Sequence, residues 1–451
     1  MMYLSCVIIS WKVTARERVN NVKLLIKNCY LLPDDGDAAA ARGDLAIEGD
    51  RILKVGDEGE LPRDWKAERV MEGEDYLCLP GLINCHTHAA MTLLRSYADD
   101  LPLMYWLEKK IWPIEARLTA DDVYWGTMLA LVEMIESGTT TFSDMYFFMD
   151  RAAEAVEESG MRACLARGLV GTGSEAETGL EESKEFLEKW QGAAKGRISI
   201  WLGPHAPYTC PPDYLDKVLA LAQDYRAGIH IHVAETKDEV EQINKLYGKT
   251  PVEYLKERGV FQFTTLAAHC VHLTAEDISV LAETGTGVAH NPESNMKLAS
   301  GIAPVPQLLA AEVTVGIGTD GAASNNNLDM LEEMRTAALL HKVNQMDPLT
   351  LPAPQVLSMA TGDGARALGL EDVGLLKPGY KADIILVDLN QAHLYPRHNL
   401  TSHMVYAAQA SDVDTVIIDG RIVMEKRKVL TIDKERVLQE VEERARRLIS
   451  G

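Results

Sequence analysis

The chain has 451 residues, 47% of them hydrophobic, which is enough for a large core and predicts one large domain with a smaller companion. Its 45 lysines and arginines against 67 acidic residues give a formal charge of −22, which argues against binding to a phosphate backbone or an anionic membrane surface; any nucleic-acid-like ligand is expected to be small. Seven scattered cysteines form no C-x-x-C pair, so they point to neither a thiolate zinc site nor a disulfide framework and fit a cytoplasmic protein.

In chain order, residues 1–20 open with a moderately apolar run that lacks a basic leader and a small-residue cleavage site. They are read as an extension preceding the folded protein. No stretch approaches eighteen uninterrupted apolar residues, so no transmembrane helix is predicted. Strands are expected over Val22–Leu31 and over Leu45–Val55, the latter turning at Gly49-Asp50. The far end mirrors this pattern, with Ala382–Leu389 and then Val413–Met424 turning at Asp419-Gly420. The two ends, 21–78 and 376–451, are therefore predicted to meet in one small β-sandwich. Lys434–Leu448 adds a surface helix with Val437, Leu438, Val441 and Leu448 on one stripe.

Between them, over 79–375, short apolar runs alternate with helical patterns, as repeated βα units do. Eight strands are predicted: Leu79–Cys85, Thr139–Asp144, Arg162–Gly168, Ile198–Gly203, Gly228–Val233, Thr265–Cys270, Gly285–Ala289 and Val313–Gly318. Thr119-Ala120-Asp121-Asp122 reads as a capped helix start. Eight such units in about 300 residues is the size of an α/β (β/α)₈ barrel of the TIM type. A doubly wound open sheet would want a glycine-rich phosphate turn after its first strand, and Pro80-Gly81-Leu82 is not one.

The chemistry sits at the predicted strand ends. His86-Thr87-His88 follows the first strand, and residues i and i+2 of extended backbone point the same way, so both imidazoles can reach one ion. His232 ends strand five, His269 ends strand six, and Asp320 follows strand eight. A barrel converges those carboxyl ends on one mouth. Three histidines and a carboxylate suit one divalent ion, Zn²⁺ first, with Fe²⁺ or Mn²⁺ as alternatives. Such an ion lowers the pKa of a water from about 15.7 to about 7. Glu235, three residues past His232, is placed to carry protons. His230 is expected one layer deeper as a hydrogen-bonded core histidine, and His272 and His290 are candidates for the mouth.

These residues resemble the amidohydrolase superfamily, and within it the 5′-methylthioadenosine/S-adenosylhomocysteine deaminases. The resemblance lies in Pro80 to His88, Met91 to Arg95, Trp112-Pro113-Ile114-Glu115, Gly203 to Tyr208, His269-Cys270-Val271-His272, His290 to Asn295 and Gly318 to Asn325. It implies a homo-oligomeric enzyme that deaminates a small nucleoside. His86, His88, His232 and Asp320 would be metal ligands; Glu235, His269 and Asp320 would be catalytic; Glu115, Arg167 and His205 would join Glu235 and Asp320 in holding substrate. Strand four carries no lysine to bridge two ions, so one metal is expected. The H-x-E and P-C-x-x-C pattern of the other zinc deaminases is absent. Alternatives within the superfamily are a triazine-type chlorohydrolase and a guanine or cytosine deaminase; a non-catalytic metal-binding barrel is the alternative from another class. One departure stands out. Relatives that take S-adenosylhomocysteine resemble one another in a second arginine about a dozen residues past the one matched by Arg167. The stretch Leu169 to Ser183 has no lysine or arginine and carries Glu175, Glu177, Glu181 and Glu182, which implies a preference for nucleosides without an anionic tail.

Overall fold

The computed structural model describes residues 23–32, 40–57, 59–173 and 176–450. The extension predicted over 1–20 and the first residue of the Val22–Leu31 strand lie outside them, as does Glu175. Eight parallel strands pair in chain order: Leu82–Thr87, Thr139–Tyr146, Arg162–Leu169, Ile198–Pro204, Ile229–Val233, Thr265–His269, Gly287–His290 and Val315–Ile317. Helices cover their outer face, so the strands are buried on both sides and read as nearly unbroken apolar runs. Met145, Trp201, Leu266 and Ala289 help to fill the barrel's interior. Burying a side chain such as the fully enclosed Phe142 contributes roughly 1.5–3 kcal/mol.

The predicted helix start after the first strand is a reciprocal cap. The Thr119 hydroxyl accepts from the Asp122 amide (3.3 Å) and the Asp122 carboxylate accepts from the Thr119 amide (2.8 Å), opening the helix Ala120–Glu136.

The apolar run expected as one strand, Leu79–Cys85, serves two sheets. Tyr76–Pro80 pairs antiparallel with Ile384–Asp388 in the sheet built from the chain ends, and Leu82–Thr87 opens the barrel. Gly81 is the break: a Cβ there would fall 2.1 Å from the Thr140 hydroxyl, so the chain passes only where no side chain stands. Periodicity alone does not reveal such a division.

Among the described residues the end sheet has nine strands and is mixed. Lys23–Leu31 pairs with Ala41–Glu48, which turns back through Gly49-Asp50 into Arg51–Val55. Val413–Ile418 turns through Asp419-Gly420 into Arg421–Glu425. The two turns touch, since a Cβ on Gly420 would lie 1.8 Å from the Gly49 carbonyl oxygen. Sheet and turns thereby enclose a second core that includes Leu24, Ile26, Leu45, Ile47, Ile384 and Ile417. The helix Lys434–Ser450 lays Val437, Val441 and Leu448 inward, while Leu438 stays half exposed.

The barrel is nearly closed. Val315–Ile317 packs against Leu82–Thr87 without a ladder of its own. The side chain of Asn84 bridges the seam instead, accepting from the Thr319 amide (3.0 Å) and donating to the Thr319 hydroxyl (2.7 Å). Beside it the Asp320 amide donates to the His86 carbonyl oxygen at 2.9 Å. Gly318 permits this approach, because a Cβ there would lie 2.8 Å from the His86 amide and 2.5 Å from the Asn291 side-chain oxygen.

Candidate metal centre and active site

Strand ends bring His86, His88, His232, His269 and Asp320 to one mouth. One nitrogen each from His86, His88 and His232 lies within 4.8 Å of the others, and the same holds for ligand atoms of His86, His269 and Asp320. Several of these strand ends reverse abruptly. Ala234, His269 and Asp320 adopt φ of 51°, 73° and 61°, left-handed backbone that costs a non-glycine residue about 1–3 kcal/mol. The packed barrel around them sustains that cost.

The tautomers follow from the partners. His88 Nδ1 donates to the Met145 carbonyl oxygen (2.6 Å), and His232 Nδ1 donates to the His205 carbonyl oxygen (2.7 Å). A carbonyl only accepts, so in the neutral rings both Nε2 atoms are unprotonated. Yet they face each other at 3.3 Å. Two lone pairs so placed repel unless a cation lies between them. His86 Nε2 is buried without a hydrogen-bond partner and stands 3.5 Å from Asp320 Oδ1, which is 3.4 Å from His88 Nε2. The donor set thus fits a divalent metal held by three imidazoles and one carboxylate.

Protonation states agree with that fit. Burial pushes His86 down to about 4 and His232 well below its ordinary value, so both are neutral, as ligands must be. Burial alone would raise Asp320, but His86, His88 and His269 hold it well below the usual carboxylate range. Its Oδ2 accepts from Ser294 (2.6 Å) and Ser324 (2.9 Å), and its Oδ1 from the Gly321 amide (2.8 Å).

Beside the cluster, Glu235 Oε2 lies 3.9 Å from His269 Nε2, and Ser300 donates to Glu235 Oε1 at 3.4 Å. Burial raises the Glu235 carboxyl. It would lower His269, but the Glu235 and Asp320 carboxylates outweigh it and raise that imidazole. His269 Nδ1 is tied to the Asn295 side-chain oxygen at 2.9 Å. Glu235 is aimed by Glu239, whose carboxylate accepts from the Ala234 (2.8 Å) and Glu235 (2.9 Å) amides.

These groups open into a cavity of about 380 Å³ whose lining also includes Glu115, His205 and apolar side chains such as Trp106 and Phe147. Glu115 ends the short helix Trp112–Glu115 and accepts from the Tyr146 hydroxyl at 2.7 Å. His205 stands in the wall with Nδ1 bonded to the Thr209 hydroxyl at 3.0 Å, and burial lowers it to about 4. Arg167 is not in the wall: its Nε and Nη2 both reach Glu182 Oε2, at 2.9 and 2.8 Å. His290 is fully buried against His341 (3.2 Å), and His272 Nε2 donates to the Ser300 carbonyl oxygen (2.7 Å); neither lines the cavity. His230 lies beneath His86, with 2.8 Å between its Nε2 and His86 Nδ1.

Sequence reasoning missed Tyr146, Ser294, Ser324, Asn295, Ser300 and Glu239. Ser294, Asn295 and Ser324 lay within the stretches that carry the family resemblance but were given no role, and Glu239 had a signal of its own, since Thr236-Lys237-Asp238-Glu239 is a capping-box pattern. Its carboxylate reaches past the cap to the two amides that aim Glu235.

The chain is similar to known proteins in sequence and in fold. The pattern of the amidohydrolase family matches residues 77–423. A protein of Pelotomaculum thermopropionicum named 5-methylthioadenosine/S-adenosylhomocysteine deaminase is 60% identical over 428 residues, which are 95% of this chain and 99% of that one. Among solved structures, an adenosine deaminase from Xanthomonas campestris with bound zinc superposes with a TM-score of 0.90 at 35% identity, covering 95% of this chain and 99% of that one. An atrazine chlorohydrolase from Arthrobacter aurescens complexed with zinc follows at 0.86 and 25% identity, covering 94% and 100%.

Proposed function

The chain belongs to the amidohydrolase family, and on that premise we propose that it deaminates the adenine ring of adenosine-type nucleosides by hydrolysis, giving the inosine analogue and ammonia. The observation that carries this reading is the placement of a buried carboxyl group, Glu235, 3.9 Å from His269 Nε2 and beside a cluster of imidazole nitrogens able to hold a metal. A structural ion needs no such acid beside it. The names carried by the relatives supply the nucleoside class.

In this reading His86, His88, His232 and Asp320 would hold one divalent ion, Zn²⁺ by preference. When bound, the ion polarises a water for attack on the ring carbon bearing the amino group. His269 Nε2 and Asp320 orient that water. Glu235 Oε2 takes one proton from the attacking water and delivers it to the adjacent ring nitrogen; as the tetrahedral stage collapses to the ring carbonyl, the remaining hydroxyl proton passes through Glu235 to the amino group, which leaves as ammonia. The raised carboxyl of Glu235 suits both directions of transfer. Fixed charges at His269 and Asp320 stabilise the tetrahedral stage without reorganising. Glu115 binds the ribose hydroxyls, held in place by Tyr146, and the His205 side chain binds substrate in the opposite wall.

Two variants test the assignment. Glu235→Gln is expected to keep its fold and bound metal while losing about 10²–10⁴ in kcat. His232→Ala is expected to lose metal, measured by elemental analysis after dialysis. Near-normal turnover in the first, or full metal content in the second, would remove these roles.

A further inference from the structure

Resting on the deaminase reading, we propose that Glu182 is a specificity-determining residue: by occupying Arg167 it restricts the site to nucleosides whose 5′ substituent is uncharged and apolar. Among the described residues, no lysine or arginine lines the cavity. Its charged groups apart from histidine are Glu115, Glu235 and Asp320. The remaining wall includes Leu103, Trp106, Ile111, Phe147, Val170 and Leu298. Such a wall takes a thioether or alkyl group at no desolvation cost and strips water from a carboxylate without replacing it.

Arg167 is the cation next in line. Its guanidinium sits behind the Phe147 ring, 5.5 Å from the ring centre, over Gly179 of the helix Ala176–Trp190. A Cβ on Gly179 would lie 3.1 Å from Arg167 Nη1, so the glycine leaves room for the guanidinium. One turn on, Glu182 takes both Nε and Nη2. Arg167 also donates to the Gly168 carbonyl oxygen. A substrate carboxylate would have to displace a resident one and gain nothing in charge by the exchange. Other cations near the mouth are engaged as well: Arg95 donates to Glu133 (3.1 Å) and Lys297 to Asp99 (2.6 Å). Glu182 does not touch the cavity, so it acts through Arg167 as a positioning residue.

The test compares kcat/KM for 5′-methylthioadenosine and S-adenosylhomocysteine in the metal-loaded wild type, in Glu182→Gln, and in Glu182→Gln combined with Arg167→Met. The wild type is expected to prefer 5′-methylthioadenosine by about tenfold or more. Glu182→Gln is expected to raise turnover of S-adenosylhomocysteine by about threefold to tenfold, a range reduced by the half-exposed position of Glu182, and to leave the other substrate within about twofold. The gain should vanish in the double variant, which a merely structural role would not produce. Calorimetric binding of the two inosine products gives the same ratio without chemistry. A wild-type preference for S-adenosylhomocysteine, or an unchanged ratio in Glu182→Gln, overturns the inference while the deaminase reading stands. Failure of the wild type to release ammonia from either nucleoside overturns the deaminase reading itself and the inference with it.

Discussion

His88 and His232 show how backbone carbonyls can prepare imidazoles to hold a metal. Each ring has its Nδ1 proton committed to a main-chain oxygen, which turns Nε2 into a bare lone pair aimed at the cluster. His86 differs, because its Nδ1 meets His230 Nε2 at 2.8 Å, and His230 Nδ1 meets the Ser143 hydroxyl at 3.3 Å. Burial keeps His230 neutral, with one proton to place. If His230 donates to Ser143, it accepts from His86, and His86 Nε2 is free for an ion. His230→Phe is therefore expected to weaken metal binding by about 10–100-fold, with partial recovery in His230→Gln. A competition titration with a chelator measures this, and equal affinity in all three proteins would remove His230 from the site. At this scale the imidazoles and Asp320 were legible because each is a rare residue type at a strand end. Their holders were not: a carbonyl oxygen has no side-chain signature, and serines such as Ser294 and Ser324 occur everywhere.

Among elements, the eight barrel strands were readable from sequence because burial on both faces leaves a continuous apolar run, and most turn residues around them mark the ends. Arg69–Glu72 escaped because its side chains are largely exposed, so no alternation betrays it. Gly81 hid the change of sheet within one apolar run. The seam between the last and first strands was equally hidden, since it depends on the missing side chain of Gly318 and on Asn84 replacing a ladder. That seam sets Asp320 beside His86. Gly318→Ala is expected to push the last strand outward, costing about 1–3 kcal/mol of stability and loosening the metal together with it. Denaturant midpoint and metal retained after dialysis should fall in concert; a stable protein with full metal content would show that the seam does not govern the site.

For the whole molecule, the sheet built from the segments flanking the barrel is tied to the start of the barrel's third strand. Arg162, buried on the third barrel strand, donates to Asp383 at 2.7 and 3.2 Å and to Asp419 at 3.2 Å, tying the barrel to the start of Ile384–Asp388 and to the turn after Val413–Ile418. The pairing of the ends was legible in two matching turn motifs; this buried ion cluster was not, because Arg162, Asp383 and Asp419 are each unremarkable in sequence. The acidic surface, with a net charge of −22, suits small ligands better than polyanions. One stoichiometry decides whether the protein is an adenosine-type deaminase. Metal-loaded protein incubated with 5′-methylthioadenosine should release one ammonia for each nucleoside consumed and leave the glycosidic bond intact in a 5′-methylthioinosine product. Release of free adenine, or no ammonia from a protein that retains its metal, would contradict it.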